Sequence, residues 1–149
     1  MNILVTGGTG FVGKALVTAL LSRGDSVTVL TRSIEKAQSI FPEKTLQFLT
    51  ALSTLKNLNA FDAVINLAGE PIFDKKWTVQ QKEKLRRSRI DLTQQLVQLI
   101  NQSEYPPALI SGSATGIYGN CGDEQITENT NPSTQFTAQL CIDWENAAK

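Results

Sequence analysis

A glycine-rich stretch close to the first residue constrains the fold of this chain more than any other part of the sequence. Residues 6–13 read TGGTGFVG, which satisfies both the GxxGxxG and the GxGxxG patterns. A short β-rich run precedes the stretch, and apolar residues at helical spacing follow it. A second β-rich run at residues 26–31 completes a strand, turn, helix and strand, which is typical of a βαβ unit.

Glycine in such a loop allows a tight turn, a close approach of the backbone to a pyrophosphate, and close packing of helix against strand. The helix that follows contributes free N–H groups and the positive end of its dipole. The pattern in this context predicts binding of a dinucleotide, and the alternative is a tight βα turn without a ligand. The residues predicted to bind are Gly7, Gly8, Thr9, Gly10, Phe11, Val12 and Gly13.

Strand-like and helix-like segments alternate along the rest of the chain. Strands are predicted at 46–49, 61–67 and 108–111, helices at 34–40, 78–101 and 136–149, and a loop at 112–132. This alternation predicts an α/β fold, a Rossmann-type doubly wound parallel sheet with helices on both faces. Ligands bind such sheets beyond the carboxyl ends of the strands. Four segments are predicted to meet at that edge: residues 7–13, 32–33, 67–70 and 111–118.

The composition excludes several kinds of function. The 149 residues fit one domain, and 14 basic residues balance 14 acidic ones, so neither nucleic acid nor an anionic membrane surface is indicated as a partner. Without histidine there is no Ser-His-Asp triad and no histidine zinc ligand, and no metal site is predicted. We expect no membrane span and no signal peptide. Cys121 and Cys141 are therefore expected to be reduced thiols in a cytoplasmic protein.

The residues after the second strand indicate which dinucleotide is bound. In NAD-preferring sites an Asp or Glu bonds the ribose hydroxyls, whereas this chain has Thr31, Arg32 and Ser33. Arg32 is a permanent cation whose planar fork suits a phosphate, and Ser33 adds a hydroxyl. Lys36 is expected about one helical turn away. The sequence favours NADP(H) over NAD(H), and the alternative is a solvated surface arginine.

Small residues end the predicted fourth strand, at Leu67, Ala68 and Gly69. The small size of Ala68 and Gly69 would let the ribose and adenine side of a cofactor approach the backbone, and the alternative is an ordinary exit from a strand into a loop. The long predicted helix carries Lys84 and Ser88 four residues apart, and therefore on one face. Most of the positively charged side chains of this helix are expected to lie on a face exposed to solvent.

Three motifs together make the chain similar to the short-chain dehydrogenase/reductase superfamily, in its extended or atypical branch. They are TGGTGFVG, NLAGEPI at 66–72 and SGSATGIYG at 111–119. More narrowly, KKWTVQQKEKLRRSRIDLT at 75–93 and FTAQLCIDWE at 136–145 resemble an epimerase-like family. Its members are described as NAD-dependent epimerase/dehydratase-like proteins, sugar-nucleotide epimerases or cell-division-inhibitor-like proteins.

The resemblance implies a Rossmann-type domain that binds NADP(H) and a protein about twice as long, with a smaller C-terminal substrate domain. We therefore expect residues 1–149 to be a truncated NADP(H)-binding domain whose sheet is incomplete at its C-terminal side. Weakened cofactor binding is an expected consequence, as is a homo-oligomer formed through the exposed last strand. The implied cofactor contacts are the glycine loop, Thr31, Arg32, Leu67, Ala68, Lys84 and Arg89.

The catalytic residues that the resemblance implies are only partly present. A Ser that orients the substrate oxygen is matched by Ser113, but the Tyr acid/base and the Lys four residues later are not found in residues 135–141. With Phe136 at the Tyr position, Leu140 takes the Lys position. Tyr118 is the nearest phenol to Ser113 and the other candidate catalytic residue. In extended members this Tyr is usually structural.

These observations support three hypotheses. The first is an NADP(H)-dependent oxidoreductase or epimerase that acts on a small carbonyl compound or a nucleotide sugar. The second is a module that binds NADP(H) without turnover, as a sensor or partner-binding protein, and the missing Tyr and Lys favour it. The third is a phosphate-binding βα domain for another nucleotide, which Arg32 disfavours.

Overall fold

Strands and helices alternate through residues 1–42 and 45–149, which are the residues that the computed structural model describes. The strands are β1 (Asn2–Thr6), β2 (Ser26–Leu30), β3 (Gln47–Leu49), β4 (Ala63–Asn66) and β5 (Ala108–Ser111). The helices are α1 (Phe11–Ser22), α2 (Ile34–Ile40), α3 (Val79–Arg87), α4 (Ile90–Asn101) and α5 (Phe136–Ala147). Within these described residues, no helix has both the length and the apolar composition that crossing a membrane requires.

The strands form one parallel sheet in the order β3-β2-β1-β4-β5. Val5 of the central strand β1 lies opposite Val29 of β2 and Ile65 of β4. The chain extends the sheet first to one side of β1 and then to the other, so the strand order reverses at β1. The predicted Rossmann-type parallel sheet is confirmed. β5 lies at one edge of the sheet as described, and its pairing with a second copy stays a prediction.

Alternate residues of the central strand enter two separate cores. Ile3 and Val5 pack on one face with Val17 of α1, while Leu4 packs on the other with Leu96 of α4. Successive side chains of a strand point to opposite faces, so burial of the whole run requires a helical layer on each side of the sheet. The prediction of helices on both faces is therefore confirmed.

The prediction of one continuous helix over residues 78–101 is wrong. Ser88 and Arg89 separate α3 from α4. The Ser88 hydroxyl accepts a hydrogen bond from the backbone N–H of Glu70 at 2.9 Å and donates one to the carbonyl of Leu85 at 3.0 Å. The break is thus held by a loop that is distant in sequence, which helical periodicity cannot reveal.

Other differences from the predicted elements are small. The segment 112–132, predicted as a loop, contains a short 3-10 turn at Thr115–Ile117. A second such turn, Leu52–Thr54, follows β3 and was not expected. The predicted strand at 61–67 is shorter, because only Ala63–Asn66 pairs with its neighbours.

A buried polar network joins the sheet to the helices beneath the carboxyl edge. The Asn66 side chain accepts a hydrogen bond from Thr6 Oγ1 at 2.6 Å and donates to Thr93 Oγ1 at 2.8 Å and Ser111 Oγ at 3.2 Å. The indole N–H of Trp144 in α5 also donates to Thr93 Oγ1, at 3.0 Å. One asparagine thereby connects three strands with α4, and Trp144 adds α5 to the network.

Replacing the Trp144 indole tests how much this network stabilises the fold. Trp144→Phe keeps an aromatic ring but removes the N–H, so we expect the free energy of unfolding to fall by about 1 kcal/mol. Trp77→Phe is the matched control, because its N–H bonds Ile72 on an exposed loop, and a smaller loss is expected. Urea unfolding followed by circular dichroism measures the free energy of unfolding of both variants. Equal losses of this free energy in the two variants would contradict a special role for the buried hydrogen bond of Trp144.

Candidate functional site

A cleft of about 980 Å³ opens at the carboxyl edge of the sheet. It lies where the strand order reverses, which is the usual ligand site of open α/β sheets. Predicted residues that line it are Gly7, Thr9, Gly10, Thr31, Arg32, Ser33, Leu67, Ala68 and Gly69. The cleft therefore brings together three of the four predicted edge segments, and residues 111–118 do not line it.

The glycine loop between β1 and α1 has no space for a side chain at Gly7 or Gly13. Gly7 has φ +68°, and a Cβ there would lie 2.6 Å from the carbonyl carbon of Leu67. A Cβ on Gly13 would lie 2.2 Å from the carbonyl oxygen of Gly7. Gly10 caps α1 without a side-chain hydrogen bond, so the first N–H groups of this helix remain available to an anion.

The other predicted residues of the loop have supporting positions. Gly8 is buried against Val29, where a Cβ would lie 2.9 Å from that side chain, and Gly13 is buried beneath the loop. Phe11 and Val12 are exposed and do not line the cleft. The structure thus separates the predicted set into residues that face the cleft, glycines that shape it, and the exposed Phe11 and Val12, which lie outside the lining.

Free cations line the cleft beyond β2. The Ser33 hydroxyl caps α2 by accepting the N–H of Lys36 at 3.3 Å, and Thr31 Oγ1 donates to the Ser33 carbonyl at 3.1 Å. These bonds fix the turn that carries Arg32. Arg32 and Lys36 both line the cleft, and neither forms an ion pair with a described residue. This end of the cleft can therefore bind a phosphate.

The segment after β4 forms the opposite wall. The N–H of Ala68 donates to Thr6 Oγ1 at 3.2 Å, which holds the wall beside β1. A Cβ on Gly69 would lie 2.8 Å from the Arg89 guanidinium, so the backbone here leaves no space for a side chain. Leu67, Ala68 and Gly69 line the cleft and Arg89 does not, and the approach of a cofactor to this backbone stays a prediction.

Arg89 supports this wall from behind and does not line the cleft. It is 9% exposed, and its guanidinium donates to the carbonyls of Leu85 at 3.2 Å and Glu70 at 3.1 Å. It also lies over the Trp144 ring, 5.4 Å from the centroid. Burial lowers the pKa of this guanidinium below its usual value. Lys84, the other implied cofactor contact of this segment, is exposed and outside the cleft lining.

Other residues that line the cleft were not predicted as cofactor contacts. They are Thr6, Leu30, Lys36, Thr50, Ala51, Leu52, Ser53, Glu70, Pro71, Ser88, Leu92 and Gln95. Of these, Lys36 was expected one helical turn from Arg32, and Glu70 belongs to the predicted edge segment 67–70. A signal for 50–53 did exist, because these residues directly follow a predicted strand and so reach the same edge. No local pattern pointed to Leu92 and Gln95.

The predicted catalytic residues lie outside the cleft lining. Ser113 Oγ hydrogen-bonds the carboxylate of Glu145 in α5, and Tyr118 is half-buried at the end of a 3-10 turn. At the positions considered for Tyr and Lys, Phe136 lies against the Trp77 ring at 5.7 Å, and Leu140 is buried in the core. No acid/base pair is therefore assembled there.

The environment of Cys141 disfavours it as a catalytic thiol. Cys121 and Cys141 are both free thiols. Cys141 lies buried in α5, and burial raises the pKa of its thiol, which disfavours the reactive thiolate at neutral pH.

Comparison with known protein families gives a match over nearly the whole chain. Residues 3–148 match the NAD dependent epimerase/dehydratase family. The chain belongs to this family. It is 38% identical over 154 residues to the chloroplastic epimerase family protein SDR39U1 homologue of Arabidopsis thaliana, covering 99% of this chain and 44% of that protein. It is 36% identical over 151 residues to epimerase family protein YfhF of Bacillus subtilis, covering 97% and 48%.

Two similar solved structures hold nicotinamide dinucleotides. Human epimerase family protein SDR39U1 (isoform 2), crystallised with NADPH, has a TM-score of 0.83 and 30% identity, covering 100% of this chain and 49% of that chain. UDP-glucuronic acid 4-epimerase from Bacillus cereus in complex with NAD has a TM-score of 0.79 and 26% identity, covering 99% and 51%. The chain spans about half the length of the relatives it matches.

Proposed function

We propose that this chain binds NADP(H) in the cleft and is the cofactor-binding domain of an oxidoreductase or epimerase of the short-chain dehydrogenase/reductase type. The observation that carries the proposal is that Arg32, just after β2 where NAD-preferring sites hold a carboxylate, lines the cleft together with Lys36 of α2. The human relative that was crystallised with NADPH adds support.

Each part of the cleft suits one part of the dinucleotide. The glycine loop and the free N–H groups of α1 suit the pyrophosphate, and Arg32 with Lys36 suits the ribose phosphate. Leu52 and Leu92 give the same half of the cleft apolar surface for a purine ring. The wall after β4, with the small residues Ala68 and Gly69, suits the ribose and adenine side of the cofactor. When bound, this cofactor supplies hydride transfer, and the chain's own residues bind it and orient it.

The substrate proposed is a small carbonyl compound or a nucleotide sugar, and the similar structure of a UDP-glucuronic acid 4-epimerase supports the second of these. The whole protein is proposed to include a C-terminal substrate domain in addition to these 149 residues, since the relatives are about twice as long. A cytoplasmic location and a homo-oligomer formed through the β5 edge remain part of the proposal. The two free thiols support the cytoplasmic location, and the edge position of β5 supports the homo-oligomer.

A second candidate function is an NADP(H)-binding sensor without turnover. It is favoured by the absence of Tyr and Lys from α5 and by the contact of Ser113 with Glu145. Following nicotinamide absorbance with NADPH and a panel of carbonyl compounds and nucleotide sugars, with the full-length protein that includes the proposed substrate domain, separates the two functions. Binding without turnover across the panel supports the sensor.

Replacing Arg32 tests the cofactor preference directly. Arg32→Ala is expected to weaken NADPH binding about tenfold or more, because charge-assisted bonds to a phosphate are lost, while NADH binding stays unchanged. Arg23→Ala is the matched control, since Arg23 pairs with Asp25 away from the cleft. Titration of both cofactors by fluorescence gives the affinities. Equal or tighter NADH binding by the wild type would refute the preference.

A further inference from the structure

The carboxamide of Gln95 belongs to the cleft lining and is available to a ligand. Gln95 lies three residues after Leu92 in α4, so the two residues share one face of the helix, and both line the cleft. Within the described part of the chain, the side-chain hydrogen bonds of α4 are those of Thr93. Gln95 is exposed, and its carboxamide therefore keeps both a donor and an acceptor for a ligand.

The segment that follows β3 lies next to the proposed phosphate site. β3 pairs with β2 in parallel, with Leu49 opposite Leu30, so the chain leaves the two strands side by side. Residues 50–53 line the cleft after β3, and Arg32 lines it after β2. A group bound over residues 50–53 therefore lies close to a phosphate bound by Arg32.

Two leucines connect this segment with α4. Leu52 belongs to the core that also contains Leu96 of α4, and Leu92 packs against the same core. Leu52 and Leu92 both line the cleft, so they form a continuous apolar surface between the β3 end and the helix. Gln95, on the same helix face as Leu92, borders this surface.

This end of the cleft offers hydrogen-bonding groups without a charge of its own. The described residues that line it are Thr50, Ala51, Leu52, Ser53, Leu92 and Gln95. Apolar side chains suit the face of a flat ring, and a few placed polar groups fix its orientation. An uncharged heterocycle with donors and acceptors on its edge fits such a lining.

We infer that Gln95 selects adenine as the base of the bound dinucleotide, by pairing with the N6 and N7 edge of the ring. The inference rests on the proposed function, in which Arg32 and Lys36 bind the ribose phosphate. The base is attached to the same ribose, so it must lie within one sugar of Arg32. The carboxamide oxygen accepts from the 6-amino group and the amide N–H donates to N7, which is the pairing that Gln and Asn make with adenine.

A purine with an oxygen at position 6 cannot be bound in the same way. Adenine presents one donor and one acceptor on this edge, whereas guanine and hypoxanthine present two acceptors, O6 and N7. Against two acceptors the carboxamide of Gln95 keeps one hydrogen bond and turns its oxygen towards a like atom. Rotating the amide exchanges the two positions and does not remove the mismatch.

The test compares two dinucleotides that differ only in their purine. They are NADPH and its hypoxanthine analogue, deamino-NADPH, and the fluorescence of the shared nicotinamide measures the affinity of each for the chain. We expect the wild type to bind NADPH about tenfold more tightly than deamino-NADPH. Gln95→Met keeps the length of the side chain but removes its hydrogen bonds, so it should weaken NADPH about tenfold and deamino-NADPH much less.

Two further variants separate recognition of the base from other effects. Gln94→Met is the matched control, because Gln94 is an exposed residue of α4 outside the cleft lining, and it should bind both dinucleotides as the wild type does. Arg32→Ala should weaken both dinucleotides by the same factor and keep the preference, because both carry the ribose phosphate. Thermal unfolding checks that each variant keeps the stability of the wild type.

Equal affinities of the wild type for the two dinucleotides would overturn the inference, as would tighter binding of deamino-NADPH. It would also be overturned by a Gln95→Met variant that keeps the preference for NADPH, or that weakens both dinucleotides equally. A wild type that binds neither dinucleotide is a distinct outcome, which removes the proposed function together with the inference that rests on it.

Discussion

Gly13→Ala is expected to lower NADPH affinity about 100-fold and to reduce the free energy of unfolding by about 3 kcal/mol. The new Cβ would lie 2.2 Å from the carbonyl oxygen of Gly7 and 2.7 Å from Cα of Gly8. Both contacts are with backbone, so no side-chain rotation can relieve them. The loop must open, and the N–H groups that would bind the pyrophosphate move with it.

Gly116→Ala is the matched control for this variant. Gly116 lies in the 3-10 turn after β5, and a Cβ there would meet its nearest neighbour, Thr137, at an ordinary 3.7 Å. Its stability and NADPH affinity are expected to stay close to those of the wild type. Thermal unfolding and fluorescence titration measure the two properties separately. A stable Gly13→Ala variant with full NADPH affinity would mean that the cofactor does not bind at this loop.

The contrast between the glycine loop and the rest of the cleft shows what a sequence can predict. The spacing of Gly7, Gly10 and Gly13 reports on contacts within one turn, so a local pattern was sufficient to locate that turn. The parallel sheet followed from the alternation of strands and helices, because few topologies satisfy short right-handed connections. The ends of β2 and β4 then placed Arg32 and Ala68 at one edge.

The remainder of the site depends on contacts that have no local pattern. Leu92 and Gln95 reach the cleft only because α4 begins afresh after the break at Ser88, and that break is fixed by Glu70, 18 residues earlier. Helical periodicity assigns side chains to faces, but it cannot tell which loop will pack against a face. Arg89 illustrates the consequence, since resemblance implied a cofactor contact and the structure places the side chain behind the wall.

Arg89→Met is expected to reduce the free energy of unfolding by about 3 kcal/mol and NADPH affinity about tenfold. Methionine fills a similar volume over Trp144 but leaves the Glu70 carbonyl without the guanidinium donor and the Leu85 carbonyl with the Ser88 hydroxyl alone. The wall at Gly69 would then lose its support. Arg87→Met is the matched control, because Arg87 is 69% exposed and pairs with Glu83 at the surface, where such pairs contribute little.

The salt dependence of binding decides whether Arg89 positions the wall or touches the cofactor. A cation that contacts a phosphate makes affinity fall as salt rises, and removing that cation reduces the dependence. Arg32→Ala should therefore flatten the salt dependence of NADPH binding, whereas Arg89→Met should weaken binding equally at low and high salt. If Arg89→Met instead flattens the dependence and leaves stability intact, the guanidinium reaches the cofactor directly, as the resemblance implied. The buried fork bonded to two carbonyls favours the positioning role.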